Sequence, residues 1–152
     1  MKRKLLWSAK SWDELSKDDL YELLALRTEV FVVEQNCVFQ DMDFKDQISL
    51  HLLGRDDDGI LRAYSRLFDK DQYYKGYQSI GRILTHGKTR KSQYGVELLE
   101  VSIETLKKNF GPVSVKIGAQ KYLTSFYGKF GFKEIGEDYI EDGIPHCIMI
   151  RD

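Results

Sequence analysis

The sequence predicts an α+β chain, sandwich-like, with a central mixed β-sheet flanked by helices. Three observations carry this. A D-D-D-G turn between two apolar runs demands antiparallel pairing, whereas a strand, a basic loop, a helix and a second strand in succession demand a parallel pair. At 152 residues the chain can bury one core but hardly two, so 1–152 reads as a single domain.

The elements follow in order. Ser16-Lys17-Asp18-Asp19 has the S-x-x-D form that caps a helix, and Leu20, Leu23, Leu24, Arg27, Val30 and Phe31 then share one helical face. Arg27 lies on that apolar stripe, so it either snorkels to the edge or meets an acidic partner across the core. Residues 35–46 form a polar loop with Asp41, Asp43 and Asp46 and no apolar period. The runs 48–55 and 60–68 flank Asp56-Asp57-Asp58-Gly59 as a hairpin, and after a second polar loop the run 78–85 reads as a third strand. Residues 86–95 are polar, glycine-bearing and locally basic. Leu99, Ile103, Leu106 and Phe110 then recur at helical spacing until Gly111-Pro112 stops the helix. Val113, Val115, Ile117 and Ala119 alternate as a strand, 121–129 reads as a short helix, and Gly131-Phe132 re-enters a strand.

Composition excludes several classes. With 42% apolar and 31% charged residues and two prolines, the chain is neither disordered nor a membrane span. A net charge of −1 offers no general attraction to nucleic acid or anionic membrane, so any phosphate site must be local. Leu5-Leu6-Trp7 is far shorter than the apolar region of a signal peptide, and the expectation is a cytoplasmic protein. Cys37 and Cys147 lack metal-ligand or C-x-x-C spacing and read as small buried residues.

Two segments carry chemistry. The loop before the second helix holds Lys88, Arg90 and Lys91 where backbone N–H groups of a helix N-terminus bind anions; the plainer reading is a solvated basic loop. No G-x-G-x-x-G or G-x-x-x-x-G-K-[ST] string supports a nucleotide-binding domain. Around Tyr127, the aromatics Phe126, Phe130 and Phe132 are either a core stripe or the wall of a site.

The strings V-F-V-V-E-Q-N-C from Val30, F-Y-G-K-F-G-F from Phe126 and D-G-I-P-H ending at His146, with Gln120 seven residues before Tyr127, together resemble the ElaA-like branch of the GNAT acetyltransferases. The resemblance implies the GNAT fold, acetyl-coenzyme A as cofactor, no metal, and direct acetyl transfer to an amine through a ternary complex. It implies that the strand at 113 splays from the strand at 81–85 to open a V-shaped slot. Ile83, Leu84 and Thr85 then line the pantetheine arm, and the N–H of Ile83 or Leu84 faces the thioester carbonyl. In the family a Q/R-x-x-G-x-G/A loop cradles the pyrophosphate. Here, aligned on Arg90, it reads R-K-S-Q-Y-G, so Gly95 matches while Gln93 stands where the first glycine is expected. The implied cofactor contacts are thus Arg90, Lys91, Ser92, Gln93, Tyr94, Gly95 and Val96, with Gln120 and Phe126 opposite. Tyr127 is the implied general acid.

The chemistry sets its own demands. A phenol titrates near ~10 and an alkyl thiol near ~8.5, so protonating the departing thiolate from Tyr127 is uphill by roughly 2 kcal/mol before the site acts. An alkyl amine of pKa ~10.4 is neutral only about once in ~2,500 at pH 7, roughly 4.6 kcal/mol, so a base or water chain is needed. Glu34, His51 and His146 are candidates for the base. His51 also reads as a structural histidine on an apolar strand, and Glu34 as a partner for Arg27 or a loop cap. His51, Gln35, Glu141 and Asp142 are candidates for contact with the acceptor, a small-molecule or peptide amine. Acidic residues crowd both loops (Asp41, Asp43 and Asp46; Glu137, Asp138, Glu141 and Asp142); facing one mouth they select a cationic acceptor, and otherwise they form a solvated surface. An exposed edge strand leaves a homodimer possible. The competing function is a non-catalytic acyl-coenzyme A sensor or interaction module on the same fold.

Overall fold

The computed structural model describes residues 3–87 and 93–152, and within them the chain forms seven strands and three α-helices. They are β1 (Leu6–Ser11), α1 (Lys17–Arg27), β2 (Leu50–Arg55), β3 (Leu61–Phe68), β4 (Ser79–Thr85), α2 (Tyr94–Phe110), β5 (Val115–Gln120), α3 (Thr124–Gly128), β6 (Lys133–Glu141) and β7 (Ile144–Arg151). A π-helical segment, Thr28–Glu34, continues α1 without a break. Among the described residues no helix is long and apolar enough to cross a membrane.

The α+β class holds, and the sheet is more divided than a continuous mixed sheet. β1-β2-β3-β4 and β5-β7-β6 are each antiparallel, and the parallel link between them is one bridge, Gln78 to Val115. There Gln78 N donates to Ser114 O at 3.0 Å and Lys116 N donates to Gln78 O at 2.9 Å. Beyond this point β4 and β5 form no ladder, which is the splay the sequence resemblance implies.

Local chemistry explains the elements. Ser16 Oγ accepts from Asp19 N at 3.0 Å, closing the expected cap on α1. Gly59 takes φ +80 in the β2–β3 turn, and Gly111 takes φ +87 where α2 ends. β1 is an element the sequence reading missed. It is held because Glu97, in the first turn of α2, accepts from Lys4 N, Leu5 N and Trp7 Nε1 at 2.8–2.9 Å. The E-D-G string forms the β6–β7 turn, with Asp142 at φ +52 and Gly143 at φ +78.

The first sheet lies between helices. α1 and the π-helical segment bury Leu23, Leu26 and Val30 against Leu53, Leu61, Tyr64 and Leu84. On the other face α2 packs Leu98, Leu99 and Leu106 with Leu52, Ala63, Leu67 and Ile80, and with Ile117, Tyr127, Phe132 and Met149 of the second sheet and α3. Ser65 and Ser102 share a hydrogen bond of 2.8 Å across that layer. The second core therefore ties both sheets to one helix while leaving their divergent ends apart.

Candidate active site

A cleft of about 1040 Å³ occupies the gap where β4 and β5 diverge. One wall is Ile80 to Thr85 of β4; the other includes Ile117, Gly118 and Gln120 of β5 with Leu123, Phe126 and Tyr127. Gly95 lies at the start of α2, close enough to Phe126 that an added methyl would meet its ring at 3.8 Å. The π-helical segment, the 35–46 loop and the β6–β7 turn also contribute, through Glu34, Gln35, Phe39, Glu141, Asp142 and His146.

β4 carries a bulge at this wall. Tyr64 pairs with Leu84 and Arg66 with Gly81, so Arg82 and Ile83 together face the single residue Ser65. A bulge takes one backbone unit out of the ladder, which leaves polar backbone for a ligand. At α2, Gln93 is the N-cap at φ +61 and its side chain makes no cap hydrogen bond. First-turn N–H groups left without a side-chain cap suit an anion.

Tyr127 reconciles the two sequence readings, because it belongs to the core and also walls the cleft. It is buried, packs edge-on against Phe126 and Phe132, and still lines the cleft. Burial raises its pKa, with the nearby Tyr122 adding to the effect, so at neutral pH the phenol is fully protonated. His146 is buried, stacked on Tyr139 with ring centroids 5.3 Å apart. Its Nδ1 lies 2.7 Å from the Ile144 carbonyl oxygen. A carbonyl only accepts, so Nδ1 carries a proton, and Nε2 lies 3.8 Å from the Glu141 carboxylate.

Other expectations change. His51 does not reach the cleft: it is wholly buried, with Nε2 donating to Asp46 O at 2.8 Å and Nδ1 accepting from the Tyr64 hydroxyl at 2.6 Å. Burial lowers its pKa, and it is a structural histidine rather than an acceptor contact. Arg27 meets Asp41 and Asp46, not Glu34. Glu34 instead lies against Gly87, where an added methyl would come within 3.2 Å of Oε2. The side chains of Gln93, Tyr94 and Val96 do not line the cleft, Tyr94 packing toward the core. Arg90, Lys91 and Ser92 lie outside the described residues.

The acidic mouth is also corrected. Asp41, Asp43 and Asp46 are not a charged funnel, because they are neutralised by three arginines. Arg27 bonds Asp41 and Asp46 at 2.8 and 2.7 Å, Arg66 bonds Asp43 and Asp46 at 2.7 and 3.0 Å, and Arg82 bonds Asp41 at 2.7 Å. Asp138 is likewise bound by Lys121 at 2.9 Å. Only Glu141 and Asp142, both exposed, remain as acidic groups of the β6–β7 turn on the cleft. Sequence reasoning missed Arg66 and Arg82, whose signal was an arginine at a strand position alternating with buried apolar residues.

Comparison with known proteins fits this geometry. Residues 16–152 match the profile of an acetyltransferase (GNAT) domain. The chain is 39% identical to protein ElaA of Escherichia coli over 148 residues, 96% of this chain and 95% of ElaA. Its fold superposes on the ElaA crystal structure with a TM-score of 0.89, covering 97% of this chain and 99% of that one. An acyl-CoA N-acyltransferase from Pseudomonas aeruginosa gives a TM-score of 0.90 at 38% identity with the same coverage.

Proposed function

The chain belongs to the GNAT acetyltransferase family, and on that premise we propose that it transfers acetyl from acetyl-coenzyme A directly to an amine. Residues 1–152 act as one such domain, in the cytoplasm. The observation that carries this reading is the cleft between the diverging strands, lined together by the bulged edge of β4, by Tyr127 and by His146.

The residues fit the cofactor. A bulged strand offers unpaired backbone to an amide-rich arm, Phe126 and Ile117 give that arm apolar contact, and the first turn of α2 faces phosphate. Acetyl-coenzyme A supplies the thioester, and the chain does the rest. The N–H of Ile83 or Leu84 donates to the acyl oxygen as negative charge develops there. His146 Nε2 takes the proton that the attacking amine loses. Tyr127 gives its phenolic proton to the departing sulfur and recovers one from solvent. Burial weakens Tyr127 as an acid, but the same dry surroundings raise the affinity of the thiolate for a proton, so the uphill step is not lengthened in proportion. The acceptor enters beside Glu141 and Asp142, which favours a cationic small molecule or a lysyl peptide.

The test is a thiol-release screen with acetyl-coenzyme A over amines, polyamines and lysyl peptides, run beside Tyr127→Phe. The expected result is turnover by the wild type and a kcat about 100-fold lower in the variant, with coenzyme A affinity within about twofold. The competing reading, an acyl-coenzyme A sensor, draws on Gln93 in place of the first loop glycine. Tight coenzyme A binding without thiol release from any acceptor would establish it instead.

A further inference from the structure

The bulge in β4 does more than expose backbone. Ile80 and Leu84 are four residues apart and in a regular strand would share a face. Here Ile80 packs on the α2 side and Leu84 on the α1 side, because the bulge inserts one extra residue. Arg82 sits at the bulge with φ +47, a conformation that non-glycine residues seldom hold without outside support.

That support comes from its own side chain. Arg82 Nε donates to Asp41 Oδ1 at 2.7 Å and Nη2 donates to the Asp41 carbonyl at 2.8 Å. The guanidinium also lies over the Phe39 ring, 6.0 Å from its centroid. Asp41 is buried and cannot drift, since Arg27 Nε of α1 donates to its other oxygen at 2.8 Å. A chain of charge-assisted bonds thus runs from α1 through Asp41 to the bulge. Phe39, Gln40 and Asp43 of the same loop line the cleft facing Arg82.

We propose that Arg82 is a positioning residue: anchored on Asp41, it fixes the β4 bulge and so aims the Ile83 backbone into the cleft, while holding residues 39–43 as the facing wall. The catalytic consequence rests on the acyl-transfer reading above; the structural content does not.

Two substitutions separate geometry from charge. Arg82→Lys keeps the charge but cannot form the two-point bond through Nε and Nη2. Arg82→Gly accepts the positive φ but has no anchor. In both variants the hydrogen-bonded amides of β4 flanking the bulge are expected to exchange hydrogen at least about tenfold faster, with exchange in α2 unchanged. Both should lower kcat by about 10- to 100-fold at saturating acceptor, the range for a misplaced oxyanion donor. Coenzyme A, which meets the same strand but has no acyl carbonyl, should lose affinity by a smaller factor than kcat falls. An Asp41→Asn background should remove most of the kcat effect of Arg82→Gly, because the anchor is already weakened. Wild-type exchange in either variant, or wild-type kcat in Arg82→Lys, overturns the proposal. If the wild type itself releases no thiol, the acyl-transfer reading fails, and the exchange rates alone still decide whether Arg82 holds the bulge.

Discussion

Gln93 holds the entry to α2 at φ +61, where the family loop carries its first glycine. A side chain in this left-handed region costs about 1–2 kcal/mol, while glycine there loses some of that gain to the greater freedom of the unfolded chain. Gln93→Gly should therefore stabilise the protein by about 0.5–1 kcal/mol, a rise in melting temperature of roughly 1–4 °C; a lower melting temperature would show that the Gln93 side chain supplies a compensating contact. His146 gives a sharper residue-scale test. His146→Asn leaves a donor for the Ile144 carbonyl and removes Nε2, so kcat should fall about 100-fold with coenzyme A affinity unchanged if that nitrogen takes the amine proton. Tyr127 and His146, which both line the cleft, each sit in a short, specific string of the sequence. Of the two readings of His51 the structural one holds: its ring bonds Tyr64 of the neighbouring strand and the Asp46 carbonyl just before β2, and a histidine flanked by leucines gives no sign of which face it occupies.

The hairpin β2–β3, the helix ending at Gly111 and the β4-to-β5 crossover follow from turn chemistry and apolar period, which are local signals. β1 was not legible. Its six residues show no buried alternation, and Glu97 supplies its anchorage from more than ninety residues away. The β6–β7 hairpin is absent from the sequence expectation, although Asp142-Gly143 is a dipeptide that favours positive φ at both central positions. The turn borders the cleft, since it carries Glu141 and Asp142 and starts the strand that bears His146. Gly143→Ala should cost about 1–2 kcal/mol and, by tilting the start of β7, raise the acceptor KM more than that of acetyl-coenzyme A. Gly118 makes a complementary point from the neighbouring strand. A methyl there would collide with the hydroxyl of Tyr139, the ring on which His146 stacks. Gly118→Ala should therefore disturb His146 without touching it, and steady-state kinetics should show a fall in kcat; an unchanged kcat would mean that Tyr139 yields without moving its neighbour.

Across the whole molecule, three arginines and three aspartates join α1, the 35–46 loop, β3 and β4 behind the cleft. The three acidic residues were visible in the sequence, but their pairing was not, because each partner is distant along the chain. The loop that read as either an acidic mouth or a solvated surface is instead held down by buried guanidinium groups. Arg27 and Arg66 are almost wholly buried, and the Nε of Arg66 has no hydrogen-bond partner among the described residues. A cluster this dry tolerates no loss of charge on one side, since removing one partner of a buried pair costs about 3–5 kcal/mol. Acid removes charge in the same way. Burial alone would raise the carboxyl of Asp43, yet the hydrogen bonds and charge of Arg66 outweigh it and bring the group down to about 2; Asp46 is lowered for the same reason by Arg27 and Arg66. In the unfolded chain both titrate near ~4, so between about pH 4 and 2 the unfolded state binds more protons than the folded one. Stability from these groups is therefore complete above that window and is lost as pH falls through it. Urea unfolding at pH 5 and pH 3 should give a lower midpoint at pH 3, and Asp43→Asn should shrink that difference while lowering the midpoint at pH 5. The variant is needed because every carboxylate with a lowered pKa, Asp19 included, adds to the acid sensitivity. A pH 5-to-3 difference as large in Asp43→Asn as in the wild type would place the acid sensitivity elsewhere.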